Sequence, residues 1–344
     1  MLVLGAGASA EVGLPIGAKL LTDIVKLIDI KFDHWNQSSG DGHILQALKH
    51  ILPKTADVTL LNEHLHAAWQ LCASAQQALS IDNVIDALED EKVERMGKLG
   101  IVRAIHEAER QSNFFRAVDG RVDTLDLSKF KGTWYDSFTK LITENIRKSE
   151  VETLFDNIEI INFNYDRCIE NYLPHSLANY YGVPTQEIRT LMPKLTIHRP
   201  YGVAGKLPWQ DGDLPSVEFG GGRIDQTADA AAQIRTFTEQ VEEGEALGRI
   251  RAATSNAERT VFLGFAFHRQ NVELIAAKAP SDAEILGTAF EVSKSDRDAI
   301  SNELISGFEY DEMLANQRVK LADLKCGSFF QEFWRTLTAD PPDW

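Results

Sequence analysis

Leu2-Val3-Leu4-Gly5-Ala6-Gly7-Ala8-Ser9, continued by Gly13-Leu14-Pro15, decides how this chain is read. Three apolar residues read as the end of a buried strand, and the glycines as a tight turn. A helical pattern then starts near Leu14-Pro15, proline being favoured in a first helical turn. Leu20, Leu21, Ile24, Val25 and Ile28 repeat at helical spacing. The small residues around Gly7 let the backbone approach a pyrophosphate, whose charge the free amides and positive dipole end of a helix start would stabilise. The same string also serves as an ordinary strand-to-helix turn. The third glycine of a GxGxxG pattern falls at Ala10, and no acidic residue closes a second strand about 20 residues on. A plain dinucleotide dehydrogenase therefore fits poorly. With only Met1 ahead of Leu2, either the strand is shorter than the usual run of about 5–6 residues, or the natural start lies upstream.

Outward from this turn, residues 28–150 read as a helical insertion with no strand-like alternation. Its apolar stripes are Leu45, Leu48, Ile51 and Leu52; Leu60, Leu61, Leu65, Ala68 and Trp69; Val84, Ile85 and Leu88 behind a cap at Asp82; and Trp134, Phe138, Leu141 and Ile142. Ser38 to Gly42 reads as a loop. Strand signals return at Ile158–Ile161, Leu195–Ile197, Thr260–Leu263 and Ile285–Thr288. Helical patterns over 226–253, 269–278 and 293–306 separate the later ones, and a terminal helix spans Phe329 to Leu337. Strands alternating with helices imply a parallel sheet. The expected fold is α/β: one domain over 1–344, a Rossmann-like parallel sheet carrying the large helical insertion.

Composition narrows the function. Hydrophobic residues make up 44% and charged residues 25%, enough apolar material for a sizeable core. With 51 acidic against 35 basic residues the net charge is −16, which argues against direct, sequence-specific binding of nucleic acid. Cys72, Cys168 and Cys326 are scattered and form no CxxC pair, so no cysteine zinc ribbon is expected and a reducing cytoplasm suits them. No run of 18 apolar residues and no signal peptide is read, so no membrane partner is expected. His64 and His66 point to different sides of a helical pattern and make a poor metal pair. Glu242-Glu243-Gly244-Glu245 is a solvated face.

Three further stretches stand where ligands gather, at the carboxyl ends of predicted strands. Asn162-Phe163-Asn164-Tyr165-Asp166 follows Ile158–Ile161; its amides and carboxylate suit ribose hydroxyls and a carboxamide, or equally the cap of a helix through Ile169 and Tyr172. His198, after Leu195–Ile197, suits a general base or a plain core or surface histidine. Leu263-Gly264-Phe265-Ala266-Phe267, with Asn271, is a second glycine turn.

Taken in order, these strings resemble the NAD-binding motifs of the sirtuin-like NAD-hydrolase family, of the type found in bacterial antiphage defence. GAG-x-S with G-[IL]-P matches Gly5 to Ser9 and Gly13 to Pro15, and N-Y-D matches Asn164 to Asp166, with Asn162 replacing the usual hydroxyl residue. Gly202 lies four positions after His198, later than the family places it. The resemblance implies a catalytic asparagine at Asn164 and a catalytic histidine at His198. It further implies NAD contacts at Gly5, Ala6, Gly7, Ala8, Ser9, Leu14 and Pro15, a nicotinamide-contacting carboxylate at Asp166, and approach of Gly264 to the adenosine ribose. The implied activity is NAD glycohydrolysis to nicotinamide and ADP-ribose, with NAD as substrate and no metal. A homo-oligomer, or a partner such as a HerA-type ring ATPase or another defence-system sensor, would restrain it. The alternatives are an NAD-dependent protein deacylase, disfavoured because the span from His198 to Gly264 holds no cysteine for a zinc module, and a non-catalytic sensor of NAD or ADP-ribose.

Overall fold

The computed structural model describes residues 1–34, 36–55, 57–116, 125–236, 239, 244–276, 283–309 and 318–339. The chain opens with β1 (Leu2–Leu4), a five-residue helix α1 (Ala6–Ala10) and α2 (Gly17–Ile28). A hairpin of β2 (Lys31–Asp33) and β3 (Asn36–Ser39) follows, then α3 (Gly42–Ile51), α4 (Val58–Ser74), α5 (Ile81–Leu88), α6 (Glu91–Gln111) and α7 (Trp134–Thr143). Next come β4 (Glu159–Asn162), α8 (Cys168–Tyr181), α9 (Thr185–Leu191), β5 (Thr196–His198), α10 (Ile224–Ala231) and α11 (Gly244–Ser255). The last part holds β6 (Arg259–Leu263), α12 (Arg269–Ile275), β7 (Glu284–Thr288), α13 (Lys294–Gly307), β8 (Val319–Ala322) and α14 (Cys326–Thr338). No helix among the described residues is long and apolar enough to cross a membrane.

Six strands form one all-parallel sheet in the order β5-β4-β1-β6-β7-β8. Numbered along the chain, those six strands run 3-2-1-4-5-6, the order of a doubly wound, Rossmann-like sheet. The direction of winding reverses at β1: the chain builds outward through β4 to β5, then returns to β6 on the other side. The fold is therefore α/β with a Rossmann-like parallel sheet and helical insertions.

Successive strand residues point to opposite faces, and two cores result. Val3, Ile161, Phe262 and Ile285 pack with Ile24, Leu48, Leu65, Val84 and Met96 of α2 to α6. Leu4, Ile160, Val261, Leu263 and Leu286 pack with Trp134 and Phe138 of α7, Tyr172 and Leu173 of α8, and Phe329 and Phe330 of α14. The helical stretch 28–150 thus divides between the two faces of the sheet.

Some local expectations are corrected. The hairpin β2–β3 interrupts the helical stretch, and Ser38 and Ser39 belong to a strand, not a loop. Its strands are exposed and largely polar, so no buried-face alternation marks them. The helix after the first turn begins at Gly17, past Pro15, because the short α1 intervenes. Ser80, not Asp82, caps α5 by accepting from the Asn83 amide. Sequence reading also passed over α6 and β8. In α6, Arg95, Lys98 and Arg103 break the stripe formed by Val93, Met96, Ile101 and Ile105; in β8, Lys320 breaks a short run at the sheet edge. Glu242 and Glu243 lie outside the described residues.

One buried ion pair ties the parts together. Glu109, in the last turn of α6, meets Arg167, just ahead of α8; both side chains are 0% exposed. Glu109 Oε1 accepts from Arg167 Nε and from the Arg167 amide, each at 3.0 Å. Arg167 Nη2 donates to Glu109 Oε2 and to the Glu218 carbonyl, and Nη1 to the Val217 carbonyl. The Gly220 amide donates to Glu109 Oε2 at 3.0 Å. Burial alone would raise the Glu109 pKa, but the Arg167 charge and its hydrogen bonds outweigh this and hold it lowered. Removing one partner strands the other's charge. Arg167→Met is expected to cost about 3–5 kcal/mol of stability in urea or guanidinium titrations; a loss below about 1 kcal/mol, the value of a surface pair, would show that the pair is not a structural anchor.

Candidate functional site

The carboxyl ends of β4, β1 and β6 lie side by side, with Leu4 in register with Asn162 and with Leu263. The three segments that leave them are stitched together. The Gly5 amide donates to the Leu263 carbonyl at 3.0 Å, the Gly7 amide to the Gly264 carbonyl at 2.9 Å, and the Phe163 amide to the Leu4 carbonyl at 3.0 Å. Asn164 Nδ2 donates to the Gly5 carbonyl at 3.0 Å and to Ser9 Oγ at 3.2 Å. The Ser9 hydroxyl also bonds the Asp166 carboxylate. Asp166 Oδ1 accepts from the Cys168 amide at 3.0 Å, so this residue caps the start of α8 as well. Burial raises the Asp166 pKa against the opposing pull of the Ser9 and Cys168 bonds. Gly5, Ser9, Asn164, Asp166 and Gly264 are thereby brought to one place.

The glycines are demanded by this contact between turns. A Cβ on Gly5 would lie 2.6 Å from the Gly264 oxygen, and one on Gly7 2.8 Å from Gly264 Cα. A Cβ on Gly264 would meet the Ala8 nitrogen at 2.0 Å, and its backbone is left-handed with φ +56°. The backbone of the Gly264 turn thus lies where a Cβ of Gly5 or Gly7 would project, and the Gly7 amide is engaged by the Gly264 carbonyl. Ala8 packs in the core and its carbonyl accepts from Trp134 Nε1 at 2.7 Å. Leu14 is buried in that core, and Pro15 lies in the loop before α2.

His198 stands apart. It closes β5, in register with Ile161, but its Nε2 lies 3.0 Å from Glu159 Oε2. Glu159 is the first residue of β4, the strand whose carboxyl end leads to Asn164. No hydrogen bond joins His198 to Asn164, although the two lie on neighbouring segments at the ends of paired strands.

Other residues surround the strand-end cluster instead. Arg199 Nη1 donates to the carbonyls of Asn164 at 2.8 Å and Asp166 at 3.0 Å, fixing the loop's backbone. Phe163, Tyr201, Phe265 and Phe267 form an aromatic cluster with Phe262, Phe267 holding a left-handed φ of +53°. Tyr201 donates its hydroxyl to Asn271 Oδ1. Tyr165 donates its hydroxyl to Asp82 Oδ1 of α5 at 2.9 Å, linking the helical insertion to the N-Y-D segment. His106 of α6 donates Nε2–H to the Ala204 carbonyl at 2.9 Å; burial and then the Arg167 charge push its pKa down to about 4, so it is neutral. Arg199 follows His198 directly, yet nothing local marks which of the two faces the loop.

No protein-family model matches this chain, and no curated protein matches it in sequence.

Burial, reinforced by the nearby negative charge of Asp86, pushes the Asp82 pKa up to about 6, while the Tyr165 bond opposes the shift. An acid whose pKa is raised by folding binds its proton more tightly in the folded state, so its contribution to stability falls as pH rises from 3.8 to about 6. In denaturant titrations at several pH values, Asp82→Asn should gain stability relative to the wild type across that window. A difference that stays flat with pH would remove Asp82 as a titrating contact. Separately, Gly264→Ala should destabilise the fold by about 2 kcal/mol or more, since both steric overlap and a left-handed backbone oppose it; an unchanged melting temperature would show that the two turns do not pack so tightly.

Proposed function

We propose that this chain hydrolyses NAD to nicotinamide and ADP-ribose. One observation carries the reading: three segments remote in sequence, those of Ser9, Asn164 and Gly264, converge at the point where the strand order of a doubly wound sheet reverses. That is where such sheets bind dinucleotides. Taken with the motif resemblance, the convergence supports a nucleotide substrate lying across β4, β1 and β6.

The chemistry needs little from the protein. The C–N bond between ribose and nicotinamide breaks, its electron pair leaving with the nicotinamide nitrogen, and an oxocarbenium-like centre develops on the ribose. Asn164 orients the attacking water, whose oxygen forms the new bond to that carbon. Asp166, a carboxyl of raised proton affinity in the same loop, accepts the water's proton and passes it to solvent. His198, turned toward Glu159, takes no part in this scheme. The internal use of the Gly7 amide and the position of His198 favour a second reading, a nucleotide-binding sensor without turnover.

In this proposal the activity depletes NAD as a defence effector. The helical insertion restrains it through the Asp82–Tyr165 contact, within a homo-oligomer or under a ring-ATPase partner. Incubation with NAD alone, followed by chromatography, is expected to yield nicotinamide and ADP-ribose without added metal or acylated peptide. Asn164→Ala should lower that rate by at least about 100-fold while leaving the circular dichroism spectrum unchanged, and His198→Ala by far less. Binding of NAD without nicotinamide release, in the isolated chain and in any assembly, would establish the sensor instead.

A further inference from the structure

Beside the edge strand β5 lies a cavity of about 590 Å³, within the span of about 300–1,000 Å³ that holds small ligands. It is walled by α8, α9, β5 and the loop that follows β5. Glu170, Gln186, Arg189, Arg199, Lys206 and Trp209 supply its polar and aromatic surface. Gly5, Ser9, Asn164 and Gly264 do not line it, so it is separate from the strand-end cluster described above.

Glu170 is the informative residue. It is 5% exposed, and its Oε1 accepts from Arg199 Nη2. Its Oε2 is buried and has no hydrogen-bond partner. A buried acceptor left so is costly, and native structures keep few of them. What this oxygen lacks is a donor such as a hydroxyl. Three cations, Arg189, Arg199 and Lys206, face two carboxylates, Glu170 and Asp211, and since Arg199 pairs with Glu170 the cations placed for an anion are Arg189 and Lys206. The Arg189 guanidinium carbon lies 5.7 Å from the centre of the Trp209 ring, which sets a cation beside an aromatic wall. Lys206 reaches the Gly212 carbonyl on a flexible stem.

From an acceptor wanting a hydroxyl, cations suited to an anion and a ring face suited to a sugar, we infer that this cavity binds a phosphorylated sugar. The hydroxyls meet Glu170 Oε2 after a small turn of that side chain, since the oxygen is closed to the cavity in this structure, and the phosphate meets Lys206 and Arg189. Occupancy is felt at the proposed catalytic loop, because Arg199, which grips Glu170, also holds the carbonyls of Asn164 and Asp166. Only that last consequence rests on the proposed NAD hydrolysis; the binding does not.

Calorimetric titration of the full chain tests the site, with ribose 5-phosphate, AMP and inorganic phosphate as separate probes. Saturable binding of ribose 5-phosphate, tighter than that of phosphate, is expected. Glu170→Gln, which keeps an oxygen for Arg199 but replaces the unpartnered oxygen by a donor, should weaken it about tenfold or more. Trp209→Leu and Lys206→Ala should weaken it as well, and they carry the test if Glu170→Gln does not fold. AMP binding tighter than ribose 5-phosphate assigns the site to nucleotides; weaker binding assigns it to free sugar phosphates. No saturable binding, phosphate binding as tightly as the sugar phosphate, or affinity unchanged in all three variants would overturn the inference.

Discussion

A carboxylate and a guanidinium, both removed from water, join three parts of this chain that no local rule connects. Glu109 lies in the last turn of α6, Arg167 leads into the helix after the N-Y-D segment, and the carbonyls of Val217 and Glu218 and the amide of Gly220 belong to the loop between β5 and α10. Desolvating two such ions is expensive, and their attraction compensates only where the remaining donors and acceptors are also met. Here they are met by backbone groups, so the pair fixes where the loop lies relative to α6 and α8. His106, one turn before Glu109, stays neutral partly because Arg167 is near, so the same pair sets the electrostatics on that side of the molecule.

From this anchor the placement of the N-Y-D segment follows. Arg167 is the next residue after Asp166, and Arg199 holds the carbonyls of Asn164 and Asp166 from the other side. The short N-Y-D segment is thus clamped between two arginines, one buried with Glu109 and one shared with Glu170. A segment held this way keeps Asn164 against Ser9 and the Gly5 carbonyl at little entropic cost on substrate binding. The alternation of side chains along it sends Tyr165 the opposite way, to Asp82. A change in the helical insertion therefore reaches the residue between Asn164 and Asp166 by direct contact.

The glycine turns illustrate how one sequence feature admits two physical causes. Gly5 and Gly7 are consistent with close approach of a pyrophosphate, and they are equally required where another backbone approaches. The structure puts the Gly264 turn against them, and Gly264 itself has no room for a side chain. What the glycines secure first is contact between the β1 and β6 turns across the reversal of strand order. A nucleotide bound there would lie on a platform that this contact makes rigid.

The strand-turn-helix opening, four later strands and most of the amphipathic helices were legible in the sequence, because each rests on periodicity and turn chemistry within a dozen residues. The placement of Asn164, Asp166 and Gly264 at strand ends was legible for the same reason. The hairpin β2–β3 was not, since exposed polar strands carry no buried-face signal, and α6 was obscured by largely buried cations whose partners lie partly in the helix and partly far from it, Lys98 with Glu94 and Glu239 and Arg103 with Glu107 and Asp41. Only the tertiary structure decided the strand order, the direction of the His198 imidazole, the partner of Glu109 and what fills the space beside Gly5. Each of those depends on groups tens to hundreds of residues away, whose approach is set by the packing of two cores on one sheet and by no pattern a local stretch contains.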